Sequence, residues 1–178
     1  MNEKKKINLK TSTPTLVIFA ILMAAEIVIA QFLTIHTWNL KITLSFIPVV
    51  IAARIYGPIG GGLVAGVGDF LGAFMFPVGP WFPPITLTTA AVGVIFGLFL
   101  KNSDNFLRVL ISVLISELIF SMFITPIWLM MLYGTDYWIL VGSRLIQVAV
   151  LIAIKLIIIP PILKLTNILA KSYRKEFS

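Results

Sequence analysis

The apolar stretches of this 178-residue chain carry a few ionisable side chains, which are the residues that could do chemistry. Three acids, Glu26, Asp69 and Glu117, each lie about eleven or twelve residues from one end of an apolar run. At 1.5 Å per helical residue this distance is about 16–18 Å, close to the middle of a bilayer. A charge at that depth costs about 2.5–3.5 kcal/mol, so we expect each acid to pair with a base or to line a polar cavity.

Two bases lie in the last apolar run, and they share a helical face. Arg144, Gln147, Leu151 and Lys155 follow the spacing i, i+3, i+7 and i+11. Arg144 lies only about 9 Å from the start of its helix, so it cannot reach the far surface, whereas Lys155 can extend towards that surface. Two interpretations remain open: a polar ligand pocket, or acids and bases that pair only to hold the helices together.

A proline-rich segment, residues 76–84, joins two apolar runs and cannot continue a helix. Its four prolines remove backbone donors and restrict φ, so we expect a rigid loop. The segment also carries Phe76, Trp81 and Phe82. We predict that these rings form a stacking wall for a flat ligand, because aromatic rings offer a large apolar face with little entropy to lose. The alternative is that they anchor the loop at the membrane surface.

The elements that position these residues must be membrane helices. Hydrophobic residues make up 59% of the chain and charged residues 12%, whereas soluble domains carry about 25% charged residues. A span needs about 20 apolar residues. We therefore predict an all-α membrane protein, a single domain over residues 1–178 that forms a six-transmembrane-helix bundle with an amphipathic cytoplasmic tail at 162–178. The predicted spans are 14–33, 42–56, 59–76, 85–100, 106–132 and 138–159.

The positions of lysine and arginine predict the orientation. With the N-terminus inside, eleven of these residues lie on the cytoplasmic side and only Lys41 lies in an outer loop. Cytoplasmic loops carry the excess of positive charge, so both termini are expected inside the cell. A positive start before an apolar run also occurs in signal peptides. However, the first run is too long for a signal core and carries Glu26, so we expect a retained helix.

Small residues recur at helical spacing in two runs. Ala20 and Ala24 lie four apart in the first span, and the third span has glycine pairs at 62/66 and 68/72. Small residues let helix backbones approach closely in lipid. The glycines predict tight packing that turns Asp69 towards protein or a cavity. The alanines fit either internal packing or a docking face for another membrane subunit.

Several functions have no supporting motif in the sequence. The chain has no cysteine, and its one histidine cannot supply a multi-histidine metal site. It has no phosphate-binding Gly-x-x-x-x-Gly-Lys-Ser/Thr loop, no His-Glu-x-x-His and no Gly-x-Ser-x-Gly. The net charge of +7 lies at the ends and in loops, without the aromatic interleaving of a nucleic-acid interface. We therefore expect no enzyme activity, no metal, no cofactor and no nucleic-acid partner.

The sequence resembles the substrate-binding S components of energy-coupling factor (ECF) vitamin transporters, and among them it is most similar to the folate-specific group. The resemblance covers spans two to four closely. It is carried by Ser45-Phe46-Ile47-Pro48, Tyr56-Gly57-Pro58, Gly66-x-x-Asp69-x-x-Gly72, Phe76-Pro77-x-Gly79-x-Trp81-Phe82-Pro83 and Thr86-Leu87-Thr88-x-Ala90.

The resemblance implies a multi-pass subunit of a bacterial plasma membrane that captures a vitamin from outside. Such a subunit docks on a transmembrane coupling subunit, which is driven by two cytoplasmic ATPases. Ala20 and Ala24 match the alanine motif that contacts the coupling subunit.

Folate has a flat pterin, a benzoyl ring and a glutamate tail with two carboxylates. The resemblance therefore implies stacking by the three aromatic residues of the 76–84 segment and polar contacts from Arg144 and Gln147. It leaves Asp69 as either a pocket acid or a structural ion-pair partner.

Three alternatives to a folate-binding subunit remain. The first is an S component for another flat or acidic vitamin. The second is a small membrane enzyme acting on lipid, which would need paired carboxylates, whereas the acids here occur singly on separate helices. The third is a structural scaffold.

Overall fold

The computed structural model describes residues 13–36, 41–77, 79–101 and 103–176. Within these ranges, side chains are described for 15–34, 42–77, 79–101 and 103–167. Residues 1–12 and 177–178 of the predicted domain lie outside the described part, as do the side chains of most of the predicted tail.

The described residues form five helices that are long and apolar enough to cross a membrane, together with one shorter apolar helix. The shorter helix, α2, has 11 residues. A continuous helical rod, Phe106–Tyr133, comprises α5, a π-helical segment and α6. The bounds are α1 Thr13–Phe32, α2 Phe46–Tyr56, α3 Pro58–Met75, α4 Pro83–Leu100, α5 Phe106–Leu114, the π-helical segment Ile115–Ile124, α6 Thr125–Tyr133 and α7 Tyr137–Glu176.

The fold differs from the prediction in the region before α2. Residues 42 and 43 were expected to begin the second span, but they belong to strand β2, Lys41–Thr43. This strand pairs antiparallel with β1, Thr34–His36, so that Thr34 lies opposite Thr43. Threonine and isoleucine favour extended backbone. The helical bundle therefore carries a two-stranded ribbon at one end, which we call the ribbon end.

The closed end, opposite the ribbon end, is where α2 turns directly into α3. Gly57 joins them with φ of 78°, a conformation that L side chains rarely adopt. Pro58 then begins α3, where its missing N–H costs no helical hydrogen bond.

Arg54 ties together four parts of the chain at the closed end. Its guanidinium donates to the Leu100 carbonyl oxygen at 2.6 Å, to Asp104 Oδ1 at 2.6 Å and to Asn167 Oδ1 at 2.7 Å. Asn167 Nδ2 also donates to Asp104 Oδ2 at 2.7 Å. Arg54 thus links the end of α2 with the end of α4, the start of α5 and α7.

The Phe106–Tyr133 rod departs from a regular α-helix in the segment that precedes Pro126. Over Ile115–Ile124 the backbone follows the i→i+5 pattern, and the N–H of Thr125 donates to the carbonyl oxygen of Phe120. The longer repeat brings residues four and five apart onto one face. This face carries Ser116, Glu117, Phe120, Ser121 and Thr125, all of which line the central cavity.

Helix α7 continues through Pro160 and Pro161, beyond residue 159, where the predicted sixth span ends. Proline already has a helical φ, so the cost is the lost hydrogen bond and the clash with the preceding turn. Ile159 and Leu163 flank the pair and are almost completely buried, at 0% and 1% exposure. Their packing offsets that cost.

The bundle is solid in one half and hollow in the other. The solid half lies towards the closed end, where α1 to α5 and α7 contribute buried side chains such as Phe19, Val50, Leu100, Val113 and Leu163. Nearer the ribbon end, a cavity lies between the helices. The fold therefore places the polar groups of the cavity on the ribbon side of the apolar core.

Candidate functional site

The central cavity has a volume of about 290 Å³ and lies between α1 to α4, the π-helical segment, α6 and α7. Most of its wall is apolar, and a small set of charged and amide side chains reaches it. Pockets for small molecules typically have this composition, with a few polar groups that orient the ligand. The charged and amide residues are Glu26, Asp69, Glu117, Arg144, Gln147 and Lys155.

Helix α7 supplies the positive wall of the cavity. Arg144, Gln147, Leu151 and Lys155 all line it, so the predicted common face is confirmed. Arg144 is only 6% exposed, and its Nη1 donates to the Ser121 carbonyl oxygen of the π-helical segment at 3.1 Å. A guanidinium carries five N–H donors in a planar fork, a geometry that suits a carboxylate.

Lys155 turns inward and does not extend towards the membrane surface. Its Nζ lies 2.5 Å from Glu117 Oε1, and both side chains are more than nine-tenths buried. The same Nζ lies 5.3 Å from the ring centroids of Phe46 and Phe96. One carboxylate and two aromatic faces therefore hold this ammonium group in place. The sequence had left open whether the ionisable groups pair or line a pocket; these two residues do both.

Asp69 lines the cavity from α3 and is linked to the 76–84 loop. Thr86 Oγ1 donates to Asp69 Oδ2 at 2.7 Å, and Trp81 Nε1 donates to Thr86 Oγ1 at 3.2 Å. The three side chains form a hydrogen-bonded chain from the loop to the cavity wall.

The three predicted stacking residues lie beside the cavity, outside the set of described residues that line it. Phe76 packs edge-on against Phe32, with ring centroids 5.5 Å apart. Trp81 packs against Phe70 and Phe74 on α3, at 5.5 and 5.3 Å. Phe82 lies nearer α6, where its ring centroid is 6.4 Å from that of Trp128.

Among the described residues, the rings that line the cavity are Phe46, Phe96 and Phe120. Sequence reasoning missed them because each is one phenylalanine in a long apolar run, with no local sign of which way it faces. The cavity hydroxyls of Thr88, Ser116 and Ser121 were missed for the same reason. The spacing of Ser116 and Ser121 on the π-helical segment could not be used, because a regular helix was assumed there.

The two glycine pairs of α3 face different neighbours. A Cβ atom on Gly62 or Gly66 would meet Val94 or Ala90 of α4. A Cβ atom on Gly68 would meet Glu26 of α1, and one on Gly72 would meet Gln31. The buried carboxyl group of Glu26 thus has room only because position 68 has no side chain. The predicted tight packing, with Asp69 turned towards a cavity, is confirmed.

Ala20 and Ala24 lie away from the cavity. Both are exposed on α1, on the outer surface of the bundle. Their methyl groups leave a shallow, apolar strip on that helix.

Comparisons with known proteins agree on the class of protein. Residues 10–171 match the family model described as the ECF-type riboflavin transporter, S component. The chain is 33% identical over 156 residues to the folate transporter FolT of Clostridium novyi (strain NT), covering 87% of each chain. It is 31% identical over 130 residues to FolT of Leuconostoc mesenteroides, covering 72% of this chain and 70% of that one.

A solved structure shares the fold. The crystal structure of FolT bound with folic acid superposes with a TM-score of 0.82 at 28% sequence identity. The match covers 87% of this chain and 98% of that chain. The resemblance inferred from the motifs is thereby confirmed.

Proposed function

The chain belongs to the S-component family of ECF-type transporters, and on that premise we propose that it binds folate in its central cavity and delivers it to a transport complex. The observation that carries the proposal is that a buried cation, Arg144, lines a largely apolar cavity of about 290 Å³. Two relatives and one solved structure carry the name of a folate transporter.

The chemistry of the cavity wall suits the parts of folate. Apolar walls and the cavity rings favour the flat pterin and benzoyl groups, since aromatic contacts add to area burial. Arg144 and Gln147 offer donors for a carboxylate of the glutamate tail, and Asp69 offers an acceptor. Phe76, Trp81 and Phe82 would contribute stacking surface if the ligand extends towards the 76–84 loop.

Riboflavin is the alternative ligand, because the matching family model carries its name. Riboflavin is flat but has no carboxylate that could meet the guanidinium of Arg144. Folate makes better use of this residue. Relatives that are 33% and 31% identical to the chain are also named folate transporters.

The transport role places the chain in a larger assembly. As an S component it would dock on a transmembrane coupling subunit with two cytoplasmic ATPases, and would itself be non-catalytic. The exposed Ala20 and Ala24 strip on α1 is our candidate for the docking face, because small residues allow another helix to approach closely. The chain would be a multi-pass protein of the bacterial plasma membrane.

We further propose six spans with both termini inside, with α2 as a short sixth span. The charge distribution of the loops supports this orientation. The cysteine-free sequence allows a direct test. Single Lys4→Cys and Asp136→Cys variants are treated in intact cells with a membrane-impermeant thiol reagent. Labelling of position 136 and protection of position 4 is expected; the reverse pattern would overturn the orientation.

Binding to purified protein tests the ligand. The chain is solubilised in detergent and titrated calorimetrically with folic acid and, in parallel, with riboflavin. We expect folic acid to bind at least about tenfold more tightly, since a hydrogen bond to a charged group is worth about 1.5–3 kcal/mol and the flavin cannot form it. Tighter binding of riboflavin, or no binding of folic acid, would refute the proposal.

A further inference from the structure

One oxygen of a buried carboxylate points to a ligand contact that the folate proposal does not assign. Glu117 lines the cavity and is only 2% exposed. Its Oε1 accepts from Lys155, whereas its Oε2 has no hydrogen-bond partner among the residues that the structure describes. A buried acceptor left unsatisfied is costly, and more so when it is charged. A donor on a bound ligand would remove that cost.

Asp69 is less suited to this role, although the sequence suggested it as the pocket acid. Its Oδ2 already accepts a hydrogen bond from Thr86, which is fixed in turn by Trp81. Glu117 retains open acceptor capacity deeper in the bundle, beside Phe46 and Phe96, the two rings that flank Lys155.

The surroundings of Glu117 hold its carboxylate in one orientation. Lys155 is fixed by the two rings and binds one oxygen, so the other oxygen is directed elsewhere. The π-helical segment brings Glu117 onto the same face as Phe120 and Ser121, which also line the cavity. A preorganised acceptor of this kind binds a ligand donor without the free-energy cost of reorienting its side chain.

We propose that Glu117 accepts a hydrogen bond through Oε2 from the amino-substituted edge of a bound pterin, and that it selects pterins over flavins. The inference rests on the proposed folate function. A pterin presents an amino group next to a ring N–H, two adjacent donors. The matching edge of a flavin presents one N–H flanked by two carbonyl oxygens, whose lone pairs repel a carboxylate. A site built for a donor rejects an analogue that lacks it, because its buried acceptor is then left unpaired.

The test compares folic acid with 2-desamino-2-methylfolic acid, in which a methyl group of similar size replaces the amino group. Both are titrated against the full chain in detergent. We expect the wild-type protein to bind the analogue about tenfold or more weakly. In Glu117→Gln, and in the double variant Glu117→Leu/Lys155→Met, the ratio of the two affinities should fall below about threefold. Asp136→Asn is the matched control, because this acid is exposed and lies outside the cavity lining, and it should keep the wild-type ratio.

Each outcome decides a separate point. If folic acid does not bind the wild-type protein, the folate function itself is wrong. If folic acid binds but the wild-type protein does not discriminate against the analogue, only the role of Glu117 is wrong. The role is also wrong if both Glu117 variants keep the wild-type ratio. Should these variants fail to fold, a structure of the wild-type complex decides: Oε2 more than about 3.5 Å from the ligand amino group would overturn the proposal.

Discussion

Gly61 of α3 and Gly93 of α4 lie backbone against backbone, so that a Cβ atom on either residue would collide with the carbonyl oxygen of the other. No side chain separates the two helices at this crossing. Such contact gives van der Waals attraction over a large area, which is the main drive for helix association where lipid surrounds the protein. The position of α3, and with it Asp69, depends on this crossing.

Gly61→Leu should therefore destabilise the protein by about 1–3 kcal/mol or more, because the added side chain forces α3 and α4 apart. The measurement is thermal unfolding in detergent. Gly142→Ala is the matched control, since a Cβ atom at position 142 meets nothing within 4 Å. The control should be neutral or slightly stabilising because alanine is a better helix former. An unchanged melting temperature for Gly61→Leu would contradict the close crossing.

Arg144→Ala should weaken folic acid binding more than tenfold, as measured by calorimetry, because it removes the buried cation proposed to meet the glutamate tail. Arg108→Ala is the control: Arg108 is exposed at the start of α5, so its removal should leave affinity unchanged. Arg144 also donates to the Ser121 carbonyl oxygen, so the melting temperature must be recorded alongside. Unchanged affinity in a folded Arg144→Ala variant would remove this residue from the binding site.

Lys155→Met should destabilise the protein by about 3–5 kcal/mol, because it leaves the Glu117 carboxylate buried without its cation. Adding Glu117→Leu should restore most of the loss, since a buried ion pair can be replaced by apolar side chains at little cost. Melting temperatures of the two single variants and the double variant complete a double-mutant cycle. Additive losses in the double variant would show that the two residues are not coupled.

Ala20→Leu combined with Ala24→Leu should abolish co-purification with the coupling subunit while folic acid binding by the isolated chain stays within about twofold. The larger side chains keep another helix at a distance, and both positions lie away from the cavity. Ile21→Leu is the control, because Ile21 is 62% exposed on the same helix and the change preserves volume. A double variant that still assembles would place the docking face elsewhere.

Part of the candidate site followed from the sequence because a helix fixes which residues share a face. Arg144, Gln147 and Lys155 were grouped by their spacing alone, and all three line the cavity. The same reasoning predicted that Asp69 faces away from lipid. The 76–84 loop has no helical periodicity from which the directions of its side chains could be inferred. The directions of Phe76, Trp81 and Phe82 were set by contacts with Phe32, Phe70, Phe74 and Trp128, which spacing does not reveal.

The π-helical segment is the clearest element that sequence reasoning could not supply. A regular helix was expected over 106–132, and the α-helical period would spread Ser116, Glu117, Phe120 and Thr125 over a wider arc. The i→i+5 pattern brings them to the cavity. Intrinsic preferences distinguish the two helical forms poorly, since π-helices are rare and arise mostly where packing favours them.

Composition and apolar run length by themselves determined that the chain is a helical membrane protein, because lipid admits only backbones that satisfy their own hydrogen bonds. Motif spacing also identified the family. Tertiary structure alone decided that Lys155 meets Glu117, 38 residues away in sequence, and that three phenylalanines of different helices line one cavity. Local periodicity relates residues within one helix, whereas contacts between helices depend on how closely their backbones pack, and that is a property of the whole bundle.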